Sequence, residues 1–144
     1  IPSIGSKYDL GITAMTITEE RMQSVDFVSY YRAGSTWAVK KGNPKKLDTS
    51  DMCGAKIAVQ TGTVQEEEAN TIAKGCEADN KAEVMSYKRQ AEAATAVATG
   101  KADAFYADSP VAGDRAPRLQ RRHQKPGRDQ LHRGRRQEGQ HPAC

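Results

Sequence analysis

The sequence predicts an α/β protein with a parallel sheet, and three observations lead to that class. Between residues 55 and 112, short apolar segments typical of buried strands alternate with helix-like segments in the order β-α-β-α-β-α. Two of the helical segments end at a glycine, Gly75 and Gly100, as helices commonly do. The connecting segments are short, so we expect right-handed crossovers between parallel strands.

The elements before residue 45 are predicted to be shorter. The segment "YDLGITAM" alternates apolar and polar residues and predicts a strand over residues 8–14, and "SVDFV" predicts another short strand. A short helix is expected between them from about Glu19, with Thr18 as N-cap because its hydroxyl can accept a bond from an unpaired backbone N–H. The segment "GSTWAVKKGNP" predicts a strand that ends in a Gly-Asn-Pro turn.

The segments that follow predict a second, more complete unit. "AKIAVQ", "AEVMSY" and "ADAFYA" predict strands, and "VQEEEANTIAKG" and "RQAEAATAVATG" predict the helices between them. A further helix is expected at "DSPVAG", with Pro110 in its first position. We therefore divide this part of the chain into a partial α/β unit (1–34), a linking strand and turn (35–44) and a larger α/β unit (45–112).

The last part of the chain, residues 113–144, has a different composition. It holds nine Lys+Arg, three Asp+Glu and all three histidines, in a chain of formal net charge +4. It lacks the apolar residues needed for a core, so we expect it to be disordered. A basic tail of this kind is typical of binding to nucleic acid or anionic lipid. A frame shift in G+C-rich coding sequence explains it as well, and we favour this origin because the change in composition is abrupt. We therefore expect no nucleic-acid partner.

One candidate ligand residue stands where a helix begins. In an open α/β sheet, ligands bind outside the carboxyl ends of the strands. Backbone N–H groups and helix dipoles favour anions there. Arg21 lies in the first turn of the short helix, where an exposed cation is unfavourable by roughly 0.3–1 kcal/mol. A ligand carboxylate bound there would make the charge of Arg21 favourable, and Thr16 and Ala14 would supply further hydrogen-bond donors. A solvated surface arginine is the alternative.

The two later strand-to-helix turns supply further polar groups. Thr63 and Glu66 have the T-x-x-E spacing of a capping box, which a well-capped helix alone would explain. Asp108 directly follows an apolar strand, where it can accept hydrogen bonds from an ammonium group or cap a helix. An arginine, an aspartate and hydroxyl groups at the ends of separate strands predict a receptor for a zwitterion. A free amino acid fits, with its carboxylate on Arg21 and its ammonium on Asp108.

Three stretches carry a family resemblance: "YDLGITAMTITEERMQSVDFVSYYRAGSTWAVKKGNP", "CGAKIAVQTGTVQEEEA" and "GKADAFYADSPVA". They resemble solute-binding protein family 3, the extracytoplasmic binding proteins of polar amino-acid ABC transporters. The resemblance implies a type II periplasmic-binding-protein-like fold, in which two lobes close on a free polar amino acid and dock on a membrane permease. Residues 1–34 would then be partial lobe 1, residues 35–44 a hinge strand and turn, and residues 45–112 most of lobe 2.

The resemblance also implies roles for eight residues. Those in the first lobe contact the ligand's carboxylate and ammonium groups, and those in the second select the side chain or hold the same charged groups. Gln60 stands where some relatives carry a lysine, so the preferred amino acid stays open. The implied backbone contacts are Thr13 and Ala14, the hydroxyl contact Thr16, the carboxylate clamp Arg21, the side-chain selector Gln60, the further carboxylate or backbone contacts Thr63 and Val64, and the ammonium partner Asp108.

An extracytoplasmic location also bears on the cysteines. Cys53 and Cys76 flank a strand and its helix, and relatives with cysteines in this setting favour a disulfide over two free thiols. The bridge would contribute on the order of 3 kcal/mol. We recognise no signal peptide in these residues. We expect a monomer without cofactor or metal, since the spacing of the histidines is not that of a zinc site.

Two other functions on the same fold are alternatives to amino-acid transport. A dehydratase-type enzyme would need a general acid in the cleft. Residues 1–112 contain no histidine, and Asp108 is the carboxylate expected there, so we predict no enzyme. A ligand-sensor domain of a signalling protein would share the same binding chemistry. Since the opening of lobe 1 and its aromatic residues are missing from this sequence, we expect this chain to bind its amino acid weakly or not at all.

Overall fold

The computed structural model describes residues 1–114 and 119–122. Its strands in that part of the chain are β1 (Ser35–Lys40), β2 (Lys56–Gln60), β3 (Glu83–Tyr87), β4 (Ala104–Asp108) and β5 (Leu119–Arg122). Its helices are α1 (Glu19–Met22), α2 (Val64–Gly75), α3 (Gln90–Ala98) and α4 (Ser109–Asp114), with a 3₁₀ turn at Ala78–Asn80.

The strands form one sheet in the order β3-β2-β4-β1-β5. β2 pairs in parallel with both β3 and β4, as the β-α-β-α-β pattern predicted. β1 runs antiparallel to β4, with Ser35 opposite Asp108, and antiparallel to β5 on its other side. The sheet is therefore mixed, with a parallel half that carries α2 and α3 and an antiparallel half that contains the strand predicted as a hinge.

Apolar side chains cover both faces of the central strands, because helices pack on both sides. Successive residues of a strand point to opposite faces, and this alternation separates two clusters. On the face of α2, Trp37 is fully buried and stacks on Tyr106, with ring centroids 4.0 Å apart. On the face of α3, Phe105 packs among the alanines of that helix. Strands buried on both faces explain why the sequence of this region reads as continuous apolar runs.

A disulfide links Cys53 and Cys76 with their Cα atoms 5.6 Å apart, so this prediction is confirmed. It joins the loop before β2 to the end of α2. Gly75 is the last residue of α2 and Cys76 is its C-cap, one residue later than predicted. Gly100 does follow α3 in the left-handed region, at φ +82°, where glycine is favoured.

The strands predicted over residues 8–14 and 24–28 are wrong. The structure has α1 between them, capped by the Thr18 hydroxyl as expected, but the flanking segments are irregular and contain only an isolated bridge between Ile4 and Tyr8. A strand needs neighbouring strands for its backbone groups, and the described residues offer these segments none. Their apolar side chains face solvent instead, with Ile12 80% and Val28 90% exposed.

The expectation of disorder after residue 112 is wrong for part of that segment. α4 continues to Asp114, and Leu119–Arg122 forms β5 at the free edge of β1. An edge strand presents unpaired N–H and C=O groups, which another segment can satisfy whatever its composition. The rest of the predicted tail lies outside the described residues. In the part of the chain that the structure describes, no helix has the length and apolarity to cross a membrane.

Candidate ligand-binding site

The candidate residues after residue 45 lie at one edge of the sheet, where β2 and β4 end and α2 begins. Gln60 is the last residue of β2 and Asp108 the last residue of β4, and these two strands are parallel neighbours. α2 starts four residues after Gln60, at Val64. The sheet thereby places the ends of two strands and a helix N-terminus together, which is where α/β proteins bind ligands.

The turn before α2 is built by Thr63 and its neighbours. The Thr63 hydroxyl donates to the Gln60 carbonyl at 2.7 Å and accepts from the Glu66 N–H at 3.3 Å. Gly62 lies in the left-handed region at φ +76°. In a capping box the Glu66 carboxylate would accept from the N–H of the N-cap residue, Thr63. Here it accepts instead from the Gly62 N–H at 2.7 Å, and also from the Ser86 hydroxyl. A carboxylate of the protein itself therefore lies where a helix N-terminus favours anions.

Arg21 connects α1 to this turn. Its Nη1 donates to the Thr16 carbonyl at 2.8 Å and its Nη2 donates to the Gly62 carbonyl at 3.3 Å. Arg21 thus contacts the Thr16 backbone, and the predicted contact of the Thr16 hydroxyl with a ligand stays a prediction. Two of the five N–H donors of a guanidinium are used in these contacts with described residues. Arg21, whose positive charge is unfavourable in the first turn of α1, therefore lies beside the N-terminus of α2, more than 40 residues along the chain.

Asp108 contacts a residue that sequence reasoning missed. Gln65 is only 3% exposed, and its Nε2 donates to Asp108 Oδ1 at 2.7 Å and to Ser35 Oγ at 2.9 Å. A signal for Gln65 was present: it precedes Ala69 and Ala73 by four and eight residues, so it lies on the buried stripe of α2. A glutamine on the apolar face of a helix requires hydrogen-bond partners in the core.

Tyr106 extends the same polar group towards the outside of α2. Its hydroxyl donates to Glu68 Oε2 at 2.5 Å. Burial, and then the hydrogen bond and negative charge of Glu68, raise the pKa of Tyr106 well above its usual value, so this phenol stays neutral at any physiological pH. Ser35 has a smaller effect in the opposite direction and lowers the pKa of Tyr106.

The remaining candidates lie apart from these contacts. Thr13 and Ala14 are exposed in the irregular segment before α1, and Val64 is half-buried at the start of α2. The Gln60 side chain donates to the Lys88 carbonyl at 3.1 Å. Gln60 is also the one member of the predicted set in an open groove of about 890 Å³ that runs along α3. Among the described residues, the predicted set thus divides into an Arg21 group, an Asp108 group and isolated members.

Arg21 and the N-terminus of α2 thus lie near a carboxylate at the carboxyl edge of a parallel sheet, which is where open α/β sheets bind ligands. The family model for bacterial extracellular solute-binding proteins, family 3, matches residues 3–77, just over half of the chain, and the chain belongs to this family. The resemblance inferred from the sequence is confirmed, as is the α/β fold.

Two curated relatives and one solved structure define the match further. The chain is 36% identical over 126 residues to the arginine-binding protein ArgT of Corynebacterium glutamicum, covering 85% of this chain and 41% of that protein. It is 38% identical over 114 residues to a probable histidine-binding protein of Campylobacter jejuni, covering 78% and 42%. The crystal structure of AncCDT-1, an ancestral amino acid-binding protein and precursor of cyclohexadienyl dehydratase, superposes with a TM-score of 0.64 at 38% identity, covering 74% of this chain and 47% of that one. The chain spans less than half the length of these relatives.

Proposed function

We propose that this chain is part of the substrate-binding component of an ABC importer, which captures a free polar amino acid between two lobes and delivers it to a membrane permease. The observation that carries the proposal is the Arg21 guanidinium on the Gly62 carbonyl, beside the N-terminus of α2. The names of the two curated relatives, an arginine-binding and a probable histidine-binding protein, support a polar amino acid as ligand.

The carboxylate of the amino acid would bind between α1 and α2. Arg21 supplies a bidentate guanidinium, and the first N–H groups of α2, near Thr63 and Val64, have no partner within the helix. Thr13, Ala14 and Thr16 would line the same end of the ligand from the segment before α1. A ligand carboxylate would have to compete with Glu66, which already bonds the Gly62 N–H.

The ammonium of the amino acid would bind Asp108, at the end of β4. Gln65 donates to Oδ1 of this carboxylate, and we assign Oδ2, which has no hydrogen bond to residues 1–114 or 119–122, to a cationic donor. Gln60 would meet the side chain of the amino acid from the end of β2. Lobe 1 (1–34), the hinge strand and turn (35–44) and lobe 2 (45–112) are the units of this proposal, with a monomer outside the cytoplasm as its setting.

Binding without catalysis fits these groups better than an enzyme does. The similarity to a precursor of a dehydratase makes catalysis the nearest alternative on this fold. A dehydratase needs a general acid at the ligand. Residues 1–112 contain no histidine, and the carboxylate of Asp108 is accounted for by the ligand ammonium.

The test is a heteronuclear NMR titration of the 144-residue chain with L-arginine, L-histidine and L-glutamine. We expect shifts at Gly62, Thr63 and Asp108 with a Kd in the millimolar range, which corresponds to about −4 kcal/mol. D-Arginine is the matched control and should shift these residues less. The sequence left open that this chain binds nothing, but with the Arg21 guanidinium on the Gly62 carbonyl the proposal requires weak binding. No shift with any of the three up to about 50 mM, or about 50 times a millimolar Kd, would therefore overturn it. Micromolar affinity would instead contradict the expectation of an incomplete site.

A further inference from the structure

A row of polar side chains lies between α2 and the sheet, with Gln65 and Tyr106 buried and Ser35 and Asp108 partly exposed. Gln65 lies in its middle, 3% exposed, and donates to Ser35 on one side and to Asp108 on the other. Ser35 and Asp108 are direct neighbours on β1 and β4. Tyr106, two residues before Asp108 on β4, donates to Glu68 on α2. Every side chain in the row therefore comes from α2, β1 or β4.

Hydrogen-bond chemistry fixes the direction of each bond in this row. A carboxylate only accepts, so the Tyr106 hydroxyl donates its proton to Glu68. The oxygen of Tyr106 can then only accept. The Ser35 oxygen in turn accepts from Gln65, whose second amide proton goes to Asp108. Both protons of the Gln65 amide are therefore committed, and the amide cannot flip without losing two bonds.

We infer that Gln65 is the positioning residue for Asp108: its amide holds Oδ1 and turns Oδ2 towards the ammonium of the bound amino acid. This inference rests on the proposed function. A carboxylate at the end of a strand can rotate, and fixing one oxygen removes that freedom before a ligand arrives. Ser35 lies in β1, the strand predicted as the hinge, so the Gln65 amide links Asp108 to the hinge strand as well.

The experiment compares amino acids with analogues that lack only the α-amino group. L-Arginine is paired with 5-guanidinopentanoate and L-histidine with imidazole-4-propionate, each titrated by NMR into the 144-residue chain. Gln65→Met keeps the length of the side chain and removes the donor. We expect it to weaken binding of the amino acids roughly tenfold, as for loss of a hydrogen bond to a charged group, and to leave the analogues unchanged.

Two further variants separate positioning from general damage to the fold. Asn70→Met removes an exposed amide from the same helix and should change neither class of ligand. In an Asp108→Asn background, Gln65→Met should add no further loss, because the group that it positions is no longer charged. If Gln65→Met does not fold, Ser35→Ala removes the other hydrogen-bond partner of the Gln65 amide and should also weaken the amino acids selectively.

The outcomes separate this inference from the function on which it rests. If the unmodified chain binds neither amino acid, the proposed function is overturned and the role of Gln65 with it. If the unmodified chain binds an amino acid but Gln65→Met weakens that amino acid and its analogue equally, only the positioning role is overturned. A loss that adds in full to that of Asp108→Asn has the same consequence, since independent sites add and coupled sites do not.

Discussion

The disulfide between Cys53 and Cys76 should contribute a large fraction of the free energy of unfolding of this chain. It closes a loop of 23 residues. Constraint of the unfolded chain by such a loop corresponds to about 3.4 kcal/mol at 25 °C. The replacement Cys53→Ser with Cys76→Ser, in a Cys144→Ser background that prevents exchange with a third thiol, should therefore lower the free energy of unfolding by about that amount. Small domains have only about 5–15 kcal/mol in total.

Urea unfolding followed by tryptophan fluorescence measures this loss directly. Trp37 is the single tryptophan of the chain, is fully buried in the sheet and stacks on Tyr106. Its emission therefore reports the unfolding of the sheet. With an m-value of about 1–3 kcal/mol/M, the midpoint should fall by about 1–3 M. Reduction of the Cys144→Ser chain with dithiothreitol is the matched control and should give the same midpoint. A fall of less than about 0.3 M at an unchanged m-value would refute the reasoning.

Three other changes test single contacts. Because its folded pKa is raised, Tyr106 contributes stability that is present below pH 10 and is lost as pH rises towards that pKa; Tyr106→Phe should remove this alkaline loss in urea midpoints measured above about pH 9. Thr63→Ala removes the N-cap of α2 and should cost about 1 kcal/mol, while Thr71→Ala on the exposed side of the same helix should stay within about 0.5 kcal/mol. Arg21→Ala should abolish amino-acid binding in the NMR titration without a measurable fall in the urea midpoint, and surviving binding would contradict its assignment to the carboxylate.

The second half of the fold was predictable because several local signals agree there. α2 begins at Val64, as the T-x-x-E spacing predicted, and ends at Gly75, one residue later than predicted with that glycine as the C-cap. β2, β3 and β4 follow apolar runs that need no knowledge of their neighbours, since helices cover both faces of a parallel sheet. Segments in which capping, periodicity and turn residues agree are those where sequence specifies structure most strongly.

The elements that sequence reasoning misplaced depend on partners distant in the chain. Residues 8–14 alternate correctly for a strand, but among the described residues no neighbouring strand pairs with them. Leu119–Arg122 shows the opposite case, because a segment with little apolar character becomes β5 where β1 offers a free edge. Strand formation is set by such pairing more than by intrinsic preference, so alternation alone misplaced the first segment and composition alone misplaced the second.

The candidate site divides along the same line. Arg21 was found because its charge conflicts with its own helix, and Asp108 because a carboxylate follows an apolar strand. Both are local contradictions that a sequence displays. The sequence around Gln65 shows only a polar residue on the apolar stripe of α2 and does not indicate its partners. The partners are known once the pairing of β1 with β4 places Ser35 opposite Asp108.

The Gly62 peptide explains why binding by this chain is expected to be weak. Its N–H is held by the Glu66 carboxylate and its carbonyl by the Arg21 guanidinium, so both groups are satisfied before a ligand arrives. A ligand carboxylate that binds here replaces existing bonds, and only the difference between the new and old bonds contributes to affinity. In a two-lobe protein, further contacts from the rest of lobe 1 would add to that difference. The groups that we propose to bind the ligand are therefore already bonded to each other in its absence, and we expect the affinity to depend on what the rest of the two-lobe protein contributes.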